Sequence, residues 1–223
     1  MCFSATASFT VAGALLPAGA YCIATARRID HKWIPLAVYP IAFAIQQAIE
    51  GVLWLGLNSG DQATVAVASR GFLFFSHFFW LAWVPFSVYW LGGEAWRRKL
   101  LLCLTAAGAL FGLSAFLPTL FLADWVTVEQ VWHSLEYRTV LIYDGFVDRR
   151  VLRGVYAFIV VSALLLSPVR QTRTLAGLIV AALIGASLFF DHAFISVWCF
   201  FAAVLSACIV VVMAIERRRK SAG

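Results

Sequence analysis

Residues 98–122 read RKLLLCLTAAGALFGLSAFLPTLFL. After Arg98 and Lys99 no acidic or basic side chain follows as far as Leu122. About 20 helical residues cross the roughly 30 Å of bilayer hydrocarbon. A helix in a soluble domain would show a polar face instead, so the solvent of this segment is lipid. Six further apolar segments flank it, at 5–26, 33–57, 63–91, 151–168, 171–190 and 192–215. Inside lipid every backbone N–H and C=O must be paired within the protein, and the alternating pattern of a barrel strand is absent, so all seven are expected to be helices.

Composition agrees. Hydrophobic residues make up 63% of the 223-residue chain and charged residues 13%, against about 25% charged in soluble domains. The net charge of +6 gathers at segment ends and forms no basic face or stripe outside the membrane, which excludes a nucleic-acid partner. One set of connections and the tail carry Arg27, Arg28, Lys32, Arg97, Arg98, Lys99, Arg170, Arg173, Arg217, Arg218, Arg219 and Lys220. The other set carries Arg70, Arg138, Arg149, Arg150 and Arg153. The positive-inside rule makes the first set cytoplasmic. The expected fold is an all-α integral membrane domain over residues 1–223: a seven-transmembrane helix bundle, N-terminus outside and C-terminus cytoplasmic. The opening MCFSATASF then belongs to the outer end of the first helix; a secretory signal would place its basic residues ahead of the apolar run.

Residues 123–150 form the one long connection. The stretches 125–132 and 137–143 are rich in β-branched and aromatic residues, with the polar HSLE between them, which predicts a small β-rich external loop. Trp33, Trp90 and Trp96 on the cytoplasmic side and Trp54, Trp125 and Trp132 outside fit an interfacial belt; Trp80 and Trp83 lie deeper and are expected between helices.

Ionisable residues inside a membrane are functional candidates by default. Glu50 lies in QQAIEGVLW, and Gln46, Gln47 and Trp54 share its helix face. His77 on the third segment and Cys199 on the last reach a similar depth, about 10 Å below the outer boundary at 1.5 Å per residue. Ser196 lies with Cys199 on a stripe of small and polar residues. A Glu–His pair facing a cavity suits proton relay or holding a cation. Adding a thiolate brings zinc or copper into range: His77, Cys199, Cys2, His192 and His133 are the metal candidates, although no spaced ligand motif accompanies them. Cys2 and Cys199 are also the two cysteines of the outer half, where a disulfide is chemically permitted.

Two other chemistries are excluded, and a third stays an alternative. Lys32, Lys99 and Lys220 all lie at cytoplasmic ends, which leaves no lysine for a retinal Schiff base, and His77 alone cannot make a bis-histidine haem site. Ser76, His77, Asp191 and His192 resemble part of the inventory of the alkaline-ceramidase type of intramembrane hydrolase, without its final-helix histidine pair.

The opening MCFSATASF, the QQAIEGVLW stretch and FISVWCFFAA together resemble an uncharacterised family of bacterial multi-pass membrane proteins that begin Met-Cys-Phe-Ser-Ala. The matching positions here are Gln47 and Glu50, then Ser196, Trp198 and Cys199; Gln46 stands where many relatives carry His. The resemblance implies a bacterial inner-membrane location and a residue list, but no reaction. The favoured function is an outward-facing intramembrane polar pocket that binds or conducts a small ligand, ion or proton through Glu50, His77, Gln46, Gln47, Trp54, Ser196 and Cys199. A membrane-embedded metal-dependent hydrolase or redox enzyme, and a structural subunit with a partner in a larger membrane complex, are the alternatives.

Overall fold

A computed structural model describes residues 4–131, 134–189 and 194–221. Helix α1 (Ala5–Ile29) begins at Ser4, whose Oγ accepts from Ala7 N at 3.2 Å and satisfies one of the helix's unpaired N–H groups. It ends at Asp30, which also caps a short 3₁₀ turn at His31–Trp33. Helices α2 (Ile34–Ala37) and α3 (Tyr39–Ser59) come next. α3 stops at Gly60, which adopts φ 72°, a left-handed conformation open to glycine at no steric cost. Asp61 then caps α4 (Gln62–Leu73) by accepting from Ala63 N and Thr64 N. The bonds from Thr64 hold its carboxyl below the usual range, so the cap stays charged near neutral pH.

α4 runs through a π-helical turn at Phe74–Phe79 into α5 (Trp80–Trp90). The long apolar stretch 98–122 falls in α6 (Ala95–Phe116) and, after a break before Pro118, the single turn α7 (Pro118–Phe121); proline cannot continue the hydrogen-bond ladder but suits the first turn of a helix. α8 (Arg149–Leu165), α9 (Arg170–Phe189), α10 (Phe194–Ser206) and α11 (Cys208–Ser221) complete the chain.

Among the described residues, five helical segments are long and apolar enough to cross a membrane: Ala5–Ile29, His31–Ser59, Gln62–Trp90, Ala95–Phe121 and Ile195–Ser221. α8 has 17 residues, or about 26 Å at 1.5 Å each, and its first turns carry Arg149, Arg150 and Arg153. α9 has 20 residues and carries Arg170 and Arg173 in its first turn. Both pack against their neighbours along one side, α8 against α5 and α9 and α9 against α10, and leave apolar residues such as Phe158 and Ile184 exposed on the other. The expected turn at Asp191 and His192 lies outside the described residues.

Small residues set the closest approaches. α1 and α3 meet where Gly19 faces the Ile41 backbone, its nitrogen 2.8 Å from where a Cβ would stand, and where Gly51 faces the Phe9 ring. α6 meets the π turn in the same way at Gly112. At the opposite pole from the hairpin, Lys220 Nζ donates to Arg28 O at 3.0 Å, so the basic ends of α1 and α11 lie together.

The connection after α7 holds a two-stranded antiparallel sheet, β1 (Val126–Val131) with β2 (Ser134–Thr139), in the register Val126↔Thr139 to Val131↔Ser134. The second strand starts and ends earlier than the sequence suggests: Ser134, Leu135 and Glu136 are strand, not turn. Leu135, Tyr137 and Thr139 are all buried while Glu136 and Arg138 turn outward and Arg138 pairs with both Glu136 and, across the sheet, Glu129. Alternation with a two-residue period fixes that register. Trp132 and His133 fall outside the described residues. Tyr137 stacks on Phe72 of α4 at 4.8 Å between ring centroids, an interplanar angle of 13°, and this stack docks the hairpin. Tyr137→Ala should therefore loosen it, and protease cleavage within 126–139 should rise about tenfold, as a loss near 1.4 kcal/mol implies.

The tryptophans divide differently from a simple belt. Trp90 and Trp96 are exposed, but Trp33 and Trp54 are buried in the protein interior. Trp83 Nε1 donates to Pro35 O at 3.0 Å, and Trp80 is buried, so these two do pack between helices.

Candidate functional site

Gln46, Gln47 and Glu50 on α3 and Ser196 on α10 are all fully shielded from solvent. The α3 residues, at i, i+1 and i+4, turn one helical face toward α10 and α5. Glu50 Oε1 accepts from Ser196 Oγ at 2.7 Å, and Glu50 Oε2 accepts from Gln47 Nε2 at 3.2 Å. Gln46 Oε1 accepts from Trp80 Nε1 at 2.7 Å. The network therefore ties α3 to α10 and to α5 through side chains alone. Gln47 Oε1 and the Trp54 indole nitrogen make no hydrogen bond among the described residues. Gln46 and Glu50 both lie within electrostatic reach of Cys199.

His77 is placed by the π turn. One extra residue per turn widens the helix at Phe74–Phe79 and rotates the residues after it; such turns recur at functional sites. Ser76 Oγ lies 3.0 Å from His77 Nδ1. On the opposite side of the turn, Gly112 of α6 lies against the His77 carbonyl: a Cβ there would stand 2.8 Å from that oxygen.

His77 and Cys199 line one cavity of about 150 Å³ beneath the hairpin. Its polar lining comes from Ser76, His77, Tyr137, Thr139, Arg149, Arg153 and Tyr156, and its apolar lining includes Leu81, Phe111, Leu152 and Trp198. At the mouth, the Arg149 guanidinium pairs with Asp144 at 2.6 Å and also donates to the Thr139 carbonyl. Asp144 in turn accepts from Leu141 N at 2.8 Å, which fixes the loop that carries it.

Six of the seven residues expected to form one site thus fall into two neighbouring groups. Gln46, Gln47, Glu50 and Ser196 form the closed network; His77 and Cys199 line the open cavity; Trp54 lies in the core with Leu53 and Phe72. Cys199 touches both groups. Of the metal candidates, Cys2, His133 and His192 lie outside the described residues, as does any Cys2–Cys199 pairing. Among the described residues, no three His, Cys, Asp or Glu side chains come together as a metal site. The described pair of His77 and Cys199 alone does not make the three protein ligands of a catalytic zinc site.

Over residues 1–223 the sequence matches a family described as a family of unknown function (DUF6629). The chain belongs to this family. No curated protein and no solved structure matches it. In this member of DUF6629, two parts of the site are not evident from sequence reasoning. Arg149 and Arg153 count there as topological charges, although three arginines within the first turns of α8 come directly after the loop that covers the cavity. Gly108 and Gly112 form a G-x-x-x-G pair, the usual mark of close helix approach in membranes.

Proposed function

We propose that the protein is a seven-span protein of a bacterial inner membrane, N-terminus outside, that takes a small ligand into the outward-facing cavity beneath its hairpin. The excess of Lys and Arg on one set of connections supports the orientation, and the shared pole of the α1 and α11 basic ends supports it further. The packing of α8 and α9 along one side, with apolar residues exposed on the other, supports counting them as spans.

The cavity itself carries the binding reading: about 150 Å³, between elements far apart in sequence, with His77 and Cys199 in its lining. Pockets with mixed apolar walls and a few convergent polar groups are the usual form of ligand sites. Binding is favoured over conduction because Tyr156 and Trp198 narrow the floor, with their rings 5.9 Å apart edge to face. The space beyond them is lined mostly by apolar side chains.

Cys199 is the reporter. In a variant with serine at Cys2, Cys103 and Cys208 and alanine at Cys22, a small membrane-impermeant thiol reagent should label Cys199 from the outer side of oriented vesicles. Ala115→Leu, which adds bulk to the cavity wall, should slow the labelling. Reaction from the cytoplasmic side only, or none at all, refutes an outward cavity.

A further inference from the structure

Two spaces meet at one partition. Tyr156, Trp198 and Cys199 line both the outer cavity and a second chamber of about 40 Å³ deeper in the bundle. The chamber lies among Phe43, Val84, Leu164, Leu175, Ile179 and Ala202. Two of its lining hydroxyl groups are turned to their own partners: Ser206 Oγ donates to Ala203 O at 2.6 Å, and Tyr39 shares a bond of 2.7 Å with Ser87. It is therefore a mostly apolar space.

The outer cavity has the opposite character at its mouth. Among the described residues no acidic side chain lines either space. Arg149 and Arg153 both line the outer one. Arg149 is held rigid by Asp144, which engages Nε and one Nη. Its Nη1 donors have no protein partner among the described residues and remain available to an incoming acceptor. A guanidinium with its plane fixed and donors open suits a carboxylate or a phosphate.

An apolar cavity near 150 Å³ holds a molecule about the size of benzene. The outer cavity alone therefore accepts a head group and only a few carbons. Anything longer must pass Trp198 into the chamber.

We propose that the two spaces together receive a single anionic amphiphile, its carboxylate or phosphate head at Arg149 and its hydrocarbon end past Trp198 in the inner chamber. The partition and the chamber then set the accepted chain length. This rests on the reading of the outer cavity as an outward-facing ligand site.

The test uses the full chain in discs of zwitterionic lipid, with Cys199 as the sole cysteine and its alkylation rate as the readout. Straight-chain carboxylates from butyrate upward, octyl phosphate, octanol and octyltrimethylammonium are the probes. Octanoate and octyl phosphate should protect Cys199, and their relative strength ranks the two head groups. Octanol and octyltrimethylammonium should protect at least tenfold less well. Protection should improve about fourfold for each methylene that is buried, then stop improving at a definite length in the unaltered cavity. Arg149→Gln should weaken all anions at least tenfold. Leu175→Phe, which narrows the chamber, should shorten the limiting length while leaving butyrate unchanged; Ala202→Val should do the same more mildly.

Protection that ignores the sign of the head group overturns the anionic head. Protection that rises with chain length without limit, or is equal for butyrate and octanoate, overturns the chamber as tail site. Either result leaves the outward cavity standing if Cys199 is labelled from outside. A Cys199 that never reacts removes both the cavity reading and this one.

Discussion

Gly112→Ala will lower the thermal unfolding midpoint of the detergent-solubilised protein, and Gly108→Val will lower it further. Alanine is the better helix former by about 1 kcal/mol, so propensity alone predicts the reverse. The close approach decides the sign. A Cβ at Gly112 would stand 2.8 Å from the His77 carbonyl oxygen and 2.9 Å from the Phe78 Cα, and one at Gly108 would run into the Leu81 carbonyl. These obstacles are backbone and cannot rotate away. α6 must move off the π turn, and overpacking of this kind costs about 1–3 kcal/mol. α6 also supplies Phe111 and Ala115 to the cavity while the π turn supplies His77, so the same shift should alter Cys199 labelling. A Gly112→Ala protein that unfolds at the wild-type temperature and keeps wild-type labelling would show that α6 does not hold the π turn in place.

The membrane helices and the hairpin differ in how openly their sequences declare them. Composition and segment length expose the membrane helices because every lipid-facing turn must be apolar, whatever packs behind it. Gln46, Gln47 and Glu50 are legible for the same reason: polar groups on a lipid-embedded helix must find partners, so their shared face has to point inward. Ser196 is legible from its place on the small-residue stripe of α10. Trp54 misleads because an indole fits a membrane interface and a protein core equally well, and only the neighbours Leu53, Phe72 and Val65 decide between them. In the hairpin, HSLE looks like a turn by polarity, yet buried Leu135 sets the strand register. The π turn has no sequence signature: FFSHFF, four aromatic residues around Ser76 and His77, reads as ordinary helix. Arg149 joins the cavity only because α8 folds back beneath the loop that precedes it.

Glu50 is where stability and function can be separated. Glu50→Ala removes the acceptor of both Gln47 Nε2 and Ser196 Oγ in a fully buried region. Lost acceptors for buried donors, together with the volume left behind, should destabilise the protein by about 2–4 kcal/mol. Glu50→Gln should be close to neutral, within about 1 kcal/mol. The new amide keeps one oxygen to accept from Ser196 and places an N–H₂ group where Glu50 Oε2 now accepts from Gln47. Rotation of the Gln47 amide would then present Oε1, which has no hydrogen-bond partner among the described residues, as acceptor for that group. A carboxylate–amide bond becomes an amide–amide bond with its direction reversed. Thermal unfolding of the two variants should therefore differ by several degrees, with Glu50→Gln near wild type. Cys199 labelling and anion protection measured on Glu50→Gln then separate the carboxyl's own chemistry from its role as a hydrogen-bond hub. If the variant is stable and its ligand protection is unchanged, Glu50 serves only to join α3 to α10; if it is stable and protection changes, the carboxyl itself acts on the cavity through Cys199. A Glu50→Gln protein as unstable as Glu50→Ala would contradict the amide exchange and leave the network's hydrogen-bond pattern wrong as described.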